Sequence, residues 1–177
     1  PVYMVSPDGR WALSPDLVRI RRAQAGYGVI VPEEHVPANT GAPEDDGLYV
    51  TDLLSGACRL LVSLRRIVEE CALPLADPDG HPLDYYGFHA KWNARGDRIM
   101  FVVRGKPHGA GVERRAVVTL RPDGSELRVA ISPETWAPGG HHPNWLPDGD
   151  RVLMNLNLRG EGMRLASARY DGADLAP

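Results

Sequence analysis

Short apolar runs closed by polar glycine turns alternate along most of this chain. Ser6-Pro7-Asp8-Gly9-Arg10 leads into Trp11-Ala12-Leu13, Asn93-Ala94-Arg95-Gly96-Asp97-Arg98 into Ile99-Met100-Phe101-Val102-Val103, and Leu146-Pro147-Asp148-Gly149-Asp150-Arg151 into Val152-Leu153-Met154. A second turn echoes the first at Leu54-Ser55-Gly56-Ala57, Pro122-Asp123-Gly124-Ser125 and Tyr170-Asp171-Gly172-Ala173. Runs rich in β-branched and aromatic residues, bounded by Gly, Pro and Asp, read as strands joined by hairpins. Two alternating turns on a repeating period predict stacked antiparallel sheets.

Aligned on the first turn glycine, each unit predicts four strands. Unit one places them near 2–5, 10–14, 47–52 and 57–63, and unit two near 88–92, 98–104, 115–120 and 126–131. Unit three places them near 142–145, 151–157 and 163–170, with a fourth starting near Ala173 and cut off. The fold expected is all-β: a β-propeller fragment of about three four-stranded antiparallel blades, with long loop insertions and one short helix. Its boundaries are blade one over about 1–64 with an insertion at 15–46, an insertion at 65–86, blade two over about 87–132, and an incomplete blade three over about 141–177. Residues 15–46, rich in Pro, Gly and charge, read mainly as a long loop. The helix belongs to 65–86, where Ser63 caps and Leu64, Ile67, Val68 and Cys71 fall at i, i+3, i+4 and i+7. Pro74 stops it.

In such a blade the two short turns share one end and the long connections share the other, which makes the loop-rich end the expected functional face. The innermost strands carry a sharper signal. Phe88-His89-Ala90-Lys91-Trp92 aligns with His141-His142-Pro143-Asn144-Trp145, pairing Trp92 with Trp145 and His89 with His142; unit one has Val2 and Val5 at those two places. Adjacent blades would bring both imidazoles toward one axial cavity. They would serve there as metal ligands or as an acid/base pair, or else satisfy neighbouring loop carbonyls while the tryptophans fill the space between blades. Arg19, Arg21 and Arg22 beside Tyr27, with Arg104, Lys106 and His108 in the equivalent segment of unit two, would form a cationic rim suited to carboxylates or remain solvated charge. Asp8, Asp123, Asp148 and Asp171 serve their turns.

Composition adds mostly exclusions. The 177 residues carry a formal charge of −3, so there is no nucleic-acid footprint, and nearly every basic residue is arginine. No apolar run approaches the ~18 residues of a membrane span. The chain begins at Pro1 inside an expected strand, without initiator Met or signal peptide, so it reads as a piece of a longer protein. Such a piece would pack against the remaining blades of that chain or self-associate. Cys58 and Cys71 define neither a disulfide framework nor a metal cluster, leave the compartment unassigned, and are expected to be buried free thiols.

The Pro-Asp-Gly turns, with Arg121-Pro122-Asp123-Gly124-Ser125-Glu126-Leu127 and Tyr170-Asp171-Gly172-Ala173-Asp174-Leu175, resemble the repeat of TolB-type propellers. More narrowly, His142-Pro143-Asn144-Trp145-Leu146-Pro147-Asp148-Gly149 is similar to the inner-strand segment of the oligogalacturonate lyase family. That resemblance implies a uronate-eliminating lyase, in which axial histidines hold a divalent metal, typically manganese, that binds the uronate carboxylate. It makes His142 the carried-over ligand, joined by His89 through internal alignment and by the neighbouring His141. Arg104 and Arg22 would be the catalytic cations gripping the sugar acid, and Lys91, Asn144 and Tyr27 would contact an acidic oligosaccharide. The doubled His141-His142 departs from the family pattern. The alternative is a non-catalytic TolB-like propeller that binds protein or ligand, which needs no metal.

Overall fold

The computed structural model describes residues 2–158 and 160–177, and in it the chain forms three antiparallel sheets stacked face to face. The first contains β1 (Met4–Val5), β2 (Trp11–Pro15), β3 (Gly47–Asp52) and β4 (Cys58–Ser63). The second contains β5 (Leu83–Trp92), β6 (Ile99–Pro107), β7 (Arg114–Leu120) and β8 (Arg128–Ile131). The third contains β9 (Gly140–Trp145), β10 (Arg151–Leu156) and β11 (Arg164–Arg169), and Ser167 bridges to Ala176 where a fourth strand begins. Strands adjacent in sequence are hydrogen-bonded neighbours throughout, so each sheet is a meander. β1, β5 and β9 lie side by side along one line. This is the all-β, propeller-like fragment that the turn repeat predicts.

The middle sheet explains the unbroken apolar run in β6. Ile99, Phe101 and Val103 pack toward the first sheet, whereas Met100 and Val102 pack toward the third, and all five are fully buried. A strand covered on both faces has no polar side to alternate with. Gly87 of β5 leaves the space that Phe101 fills, since a Cβ there would lie 2.3 Å from the ring. Trp92 joins the core between the first two sheets and Trp145 the core between the last two, as fillers between sheets.

The turns interlock at one end of the stack. The Asn93 side chain donates to the Gly149 carbonyl at 2.9 Å, and Arg95 reaches Asp150 at 2.6 Å. At the second turn series the glycine backs onto a carbonyl of the preceding sheet, Gly124 onto Leu61 and Gly172 onto Val129. Both glycines have positive φ, and a Cβ would lie 3.1 Å from the Leu61 carbonyl oxygen at Gly124 and 2.6 Å from that of Val129 at Gly172.

α2 (Leu64–Glu70) forms as its pattern predicts. Ser63 Oγ accepts from the Arg66 amide, and Leu64, Ile67 and Val68 are buried. Three local expectations are corrected. The expectation of one short helix gives way: the 15–46 segment, mainly loop as expected, also contains α1 (Leu17–Ala23), started by the Asp16 carboxylate accepting from the Val18 and Arg19 amides, and a 3₁₀ turn at Glu33–His35. β5 starts at Leu83 rather than near 88, because Leu83, Tyr85 and Tyr86 are all buried as strand residues, which removes 83–86 from the insertion. Cys58 is exposed, because it lies at the start of edge strand β4 beside Thr51. A further short helix, α3 (Pro133–Trp136), capped by Ser132, precedes β9.

Candidate functional site

Both inner strands carry a bulge, one position apart in the aligned repeat. In β5, Gly87 pairs with Val103 and Ala90 with Phe101, so Phe88 and His89 together oppose Val102. In β9, His141 pairs with Asn155 and Asn144 with Leu153, so His142 and Pro143 together oppose Met154, with His142 at φ 58°. A bulge twists the strand and re-aims its side chains.

His89 is half-buried. Its Nδ1 shares a hydrogen bond with the hydroxyl of Tyr3, just before β1, and its ring meets Phe88 edge-on at 4.0 Å between centroids. Burial first, then the charges of Lys91, Arg104 and His142, pushes the imidazole down to about 4, so it is neutral at neutral pH. Phe88 is sandwiched in turn: the Arg104 guanidinium lies 4.1 Å above its ring, and Tyr27 meets it edge-on at 4.8 Å. Arg104 also donates to Gln24 Oε1 at 2.7 Å and lies 3.7 Å from Glu113. The structure therefore gathers Tyr27, His89 and Arg104 around Phe88.

Lys91 points toward the third sheet. Its ammonium donates to the Pro143 carbonyl at 2.9 Å, burial lowers its pKa, and the Trp145 indole donates back to the Lys91 carbonyl at 3.1 Å. Asn144, at the position aligned with Lys91, is exposed on the far face of the third sheet. His141 and His142 are exposed, with their Nδ1 atoms 2.8 Å apart, one donating to the other. Among the described residues, the donor atoms of His89, His141 and His142 do not gather within one ion's reach. The set that does is Asp77, Asp79 and His81, which could hold a metal. Its members are already engaged within their turn. Burial would raise the Asp77 pKa, but hydrogen bonds from the Val112 and His81 amides and from the His81 ring outweigh it and hold the group at about 2.

Arg22 stands apart from the histidines. It lines a cleft of about 250 Å³ with Arg19, Asn39, Tyr86, Lys106 and His108, where the 15–46 segment folds against the ends of β5 and β6. Arg22 donates to the Val36 carbonyl at 2.7 Å and Lys106 to the Ala23 carbonyl at 3.0 Å. Carboxylates accompany these cations: His108 pairs with Asp84 at 2.7 Å and Arg19 with Asp45 at 2.6 Å. The two long connections expected at the loop-rich end thus meet. The bulges, the Tyr3–His89 contact and the Gln24 bridge escape a pattern reading; the aligned His142-Pro143 is the one local hint of a break in the ladder. Cys71 offers no nucleophile, since burial pushes its thiol up to about 11.

No family model matches the chain, and no curated protein matches it. Among solved structures it is similar to a protein of Agrobacterium tumefaciens described as TolB, with a TM-score of 0.51 and 16% identity. The fold is TolB-like. The match covers 99% of this chain and 48% of the TolB chain, so the chain spans about half the length of that relative. At that identity the likeness concerns the fold, with its radial sheets and loop-rich end. Among the described residues no helix is long and apolar enough to cross a membrane.

Proposed function

We propose that the chain is part of a non-catalytic, TolB-like propeller that binds a carboxylate-bearing ligand at its loop-rich end. The cleft between the 15–46 segment and the β5 and β6 ends carries this reading. Its walls present Arg22 and Lys106, each committed to one backbone carbonyl and each with N–H donors to spare, next to Asn39 and Tyr86. The groups suited to acid/base work are held in structural contacts: His89 by Tyr3, Lys91 by Pro143, and Arg104 by Phe88 and Gln24. Titration calorimetry against an acidic oligosaccharide such as oligogalacturonate, and against an acidic peptide, tests it. Binding by either, weakened about tenfold in Arg22→Ala and in Lys106→Ala, is the expected result. No heat with any carboxylate ligand, or equal affinity in both variants, overturns it.

A second reading is the uronate-eliminating lyase, favoured by the neutral imidazole of His89 and the paired His141 and His142, since the neutral ring is the form that ligates a divalent ion such as manganese. The three histidines do not form one centre among the described residues. This reading therefore needs further donors. Manganese content together with ultraviolet absorbance of an unsaturated product from oligogalacturonate decides between the two. Turnover that survives intact in His89→Ala and His142→Ala removes the histidines from it.

A further inference from the structure

A buried carboxylate stands behind the wall of the cleft. Asp46 is 1% exposed, and its two oxygens accept from neutral donors, the Gly47 amide at 2.7 Å and the Asn39 side-chain amide at 2.6 Å. Among the described residues no cation lies within ion-pair distance of it; the nearby Arg19 pairs with Asp16 and Asp45 instead. An ionised carboxyl so placed loses its hydration without gaining a counter-charge, which favours the protonated acid. Burial raises Asp46 to about 6, helped by the charge of Asp16 and opposed by the hydrogen bonds from Asn39 and Gly47 and the charge of Arg19.

Asn39 ties this group to the cleft. One of its amide hydrogens goes to Asp46 and the other, at 2.7 Å, to the Tyr85 carbonyl, while its oxygen accepts from Arg19 at 2.9 Å. Asn39 and Arg19 both line the cleft, so Asp46 is one side chain removed from any ligand there.

Charged groups approach Asp46 and the cleft from every neighbouring element. α1 brings Asp16 and Arg19, with the Arg19 Nε 3.4 Å from Asp16 and its Nη2 2.6 Å from Asp45. β3 brings Tyr49, whose hydroxyl donates to the Asp45 carbonyl at 2.8 Å. At the start of α2, Arg65 offsets Glu44 at 3.1 Å. The ends of β5 and β6 bring Asp84 and Lys106, with His108 just beyond. Arg19, Arg22 and Lys106 therefore face Asp16, Asp45, Asp46 and Asp84, one carboxylate more than there are permanent cations. An anion entering beside Arg22 and Lys106 meets a net negative wall while Asp46 is ionised, and a balanced one once Asp46 is neutral.

We infer, on the carboxylate reading of the cleft, that the ligand binds together with a proton, which Asp46 takes up from solvent. Asp46 is a positioning residue: it acts through Asn39 and Arg19 and touches no ligand itself. Linkage is reciprocal, so the factor by which protonation strengthens binding is the factor by which bound ligand favours protonation. A coupling of about tenfold corresponds to about one pH unit. Binding then tightens as pH falls, and protons are absorbed between the midpoints of the free and the liganded protein.

Calorimetry of the chain with oligogalacturonate, or with polyaspartate if the sugar gives no heat, tests this in two buffers of different ionisation enthalpy. Both ligands stay largely ionised above about pH 5. Affinity should rise about sixfold from pH 7.5 to 5.5, and near pH 6.5 about half a proton should be absorbed per ligand. Asp46→Asn removes the charge and nearly keeps the shape. It should bind at pH 7.5 about as tightly as wild type does at pH 5.5. Any rise left in that variant measures His108, so the difference between the two proteins is the Asp46 share. If Asp46→Asn does not fold, the carbon-13 carboxyl resonance of wild-type Asp46 replaces it, and its titration midpoint should move up by about one unit in saturating ligand. Equal pH dependence in both proteins, or a midpoint that ligand leaves unmoved, overturns the inference and leaves the carboxylate site standing. No heat with either ligand at any pH overturns both.

Discussion

The buried side chain of Asn93 donates to the Gly149 carbonyl at 2.9 Å, bolting the first turn of the second sheet to that of the third. Its Oδ1 meanwhile accepts from the Asp97 and Arg98 amides, both at 3.1 Å. Asn93→Ala leaves these groups unpaired in a dry site and is expected to cost about 2 kcal/mol in urea unfolding. Asn93→Asp keeps the acceptor but sets a carboxylate against Asp97 and the Gly149 carbonyl, so it should be no better.

Two glycines with nearly the same φ separate conformational strain from collision. Gly172 (φ 85°) would place a Cβ 2.6 Å from the Val129 carbonyl oxygen, while Gly80 (φ 87°) would meet nothing within 4 Å among the described residues. Gly80→Ala should cost about 1 kcal/mol, from the left-handed backbone alone. Gly172→Ala should cost about 1–3 kcal/mol more, because backbone must move. Paired denaturant melts check the gap.

Phe101 is fully buried, with its ring tip over Gly87. Phe101→Ala should destabilise by about 3–5 kcal/mol. Gly87→Ala forces the same ring aside, and Phe101→Leu, by shortening the side chain, should rescue part of that loss. A double-mutant cycle with a clearly non-zero coupling energy is the expected outcome.

His89 makes stability pH-dependent with a definite sign. Its folded pKa of about 4 lies below the ordinary 6.5, so the unfolded chain binds the proton first. Stability is therefore lost as pH falls from about 6.5 toward 4. Asp46, which burial raises to about 6, acts oppositely in the same range, gaining stability as pH falls through that value. Comparison with His89→Gln isolates the histidine: the wild-type melting temperature should drop more steeply than the variant's between pH 6.5 and 4. Parallel profiles would show that the imidazole does not titrate as argued.

The sequence alone determined the three-unit repeat, nearly every strand, both turn series and the Ser63-capped helix. These rest on local physics: the positive φ that glycine accepts, the side-chain cap, and apolar spacing along a few residues. The short helices α1 and α3 and the 3₁₀ turn are local features the pattern misses, the Asp16 cap of α1 standing behind Pro15 in a stretch rich in turn formers. Tertiary structure alone decided which way the inner-strand side chains face. Bulges at Phe88-His89 and His142-Pro143 break the two-residue alternation that a pattern reading assumes. The contacts that then define the site, Tyr3 with His89, Gln24 with Arg104 and Lys91 with Pro143, join residues 86, 80 and 52 positions apart. Only the stacking of sheets brings such residues within reach.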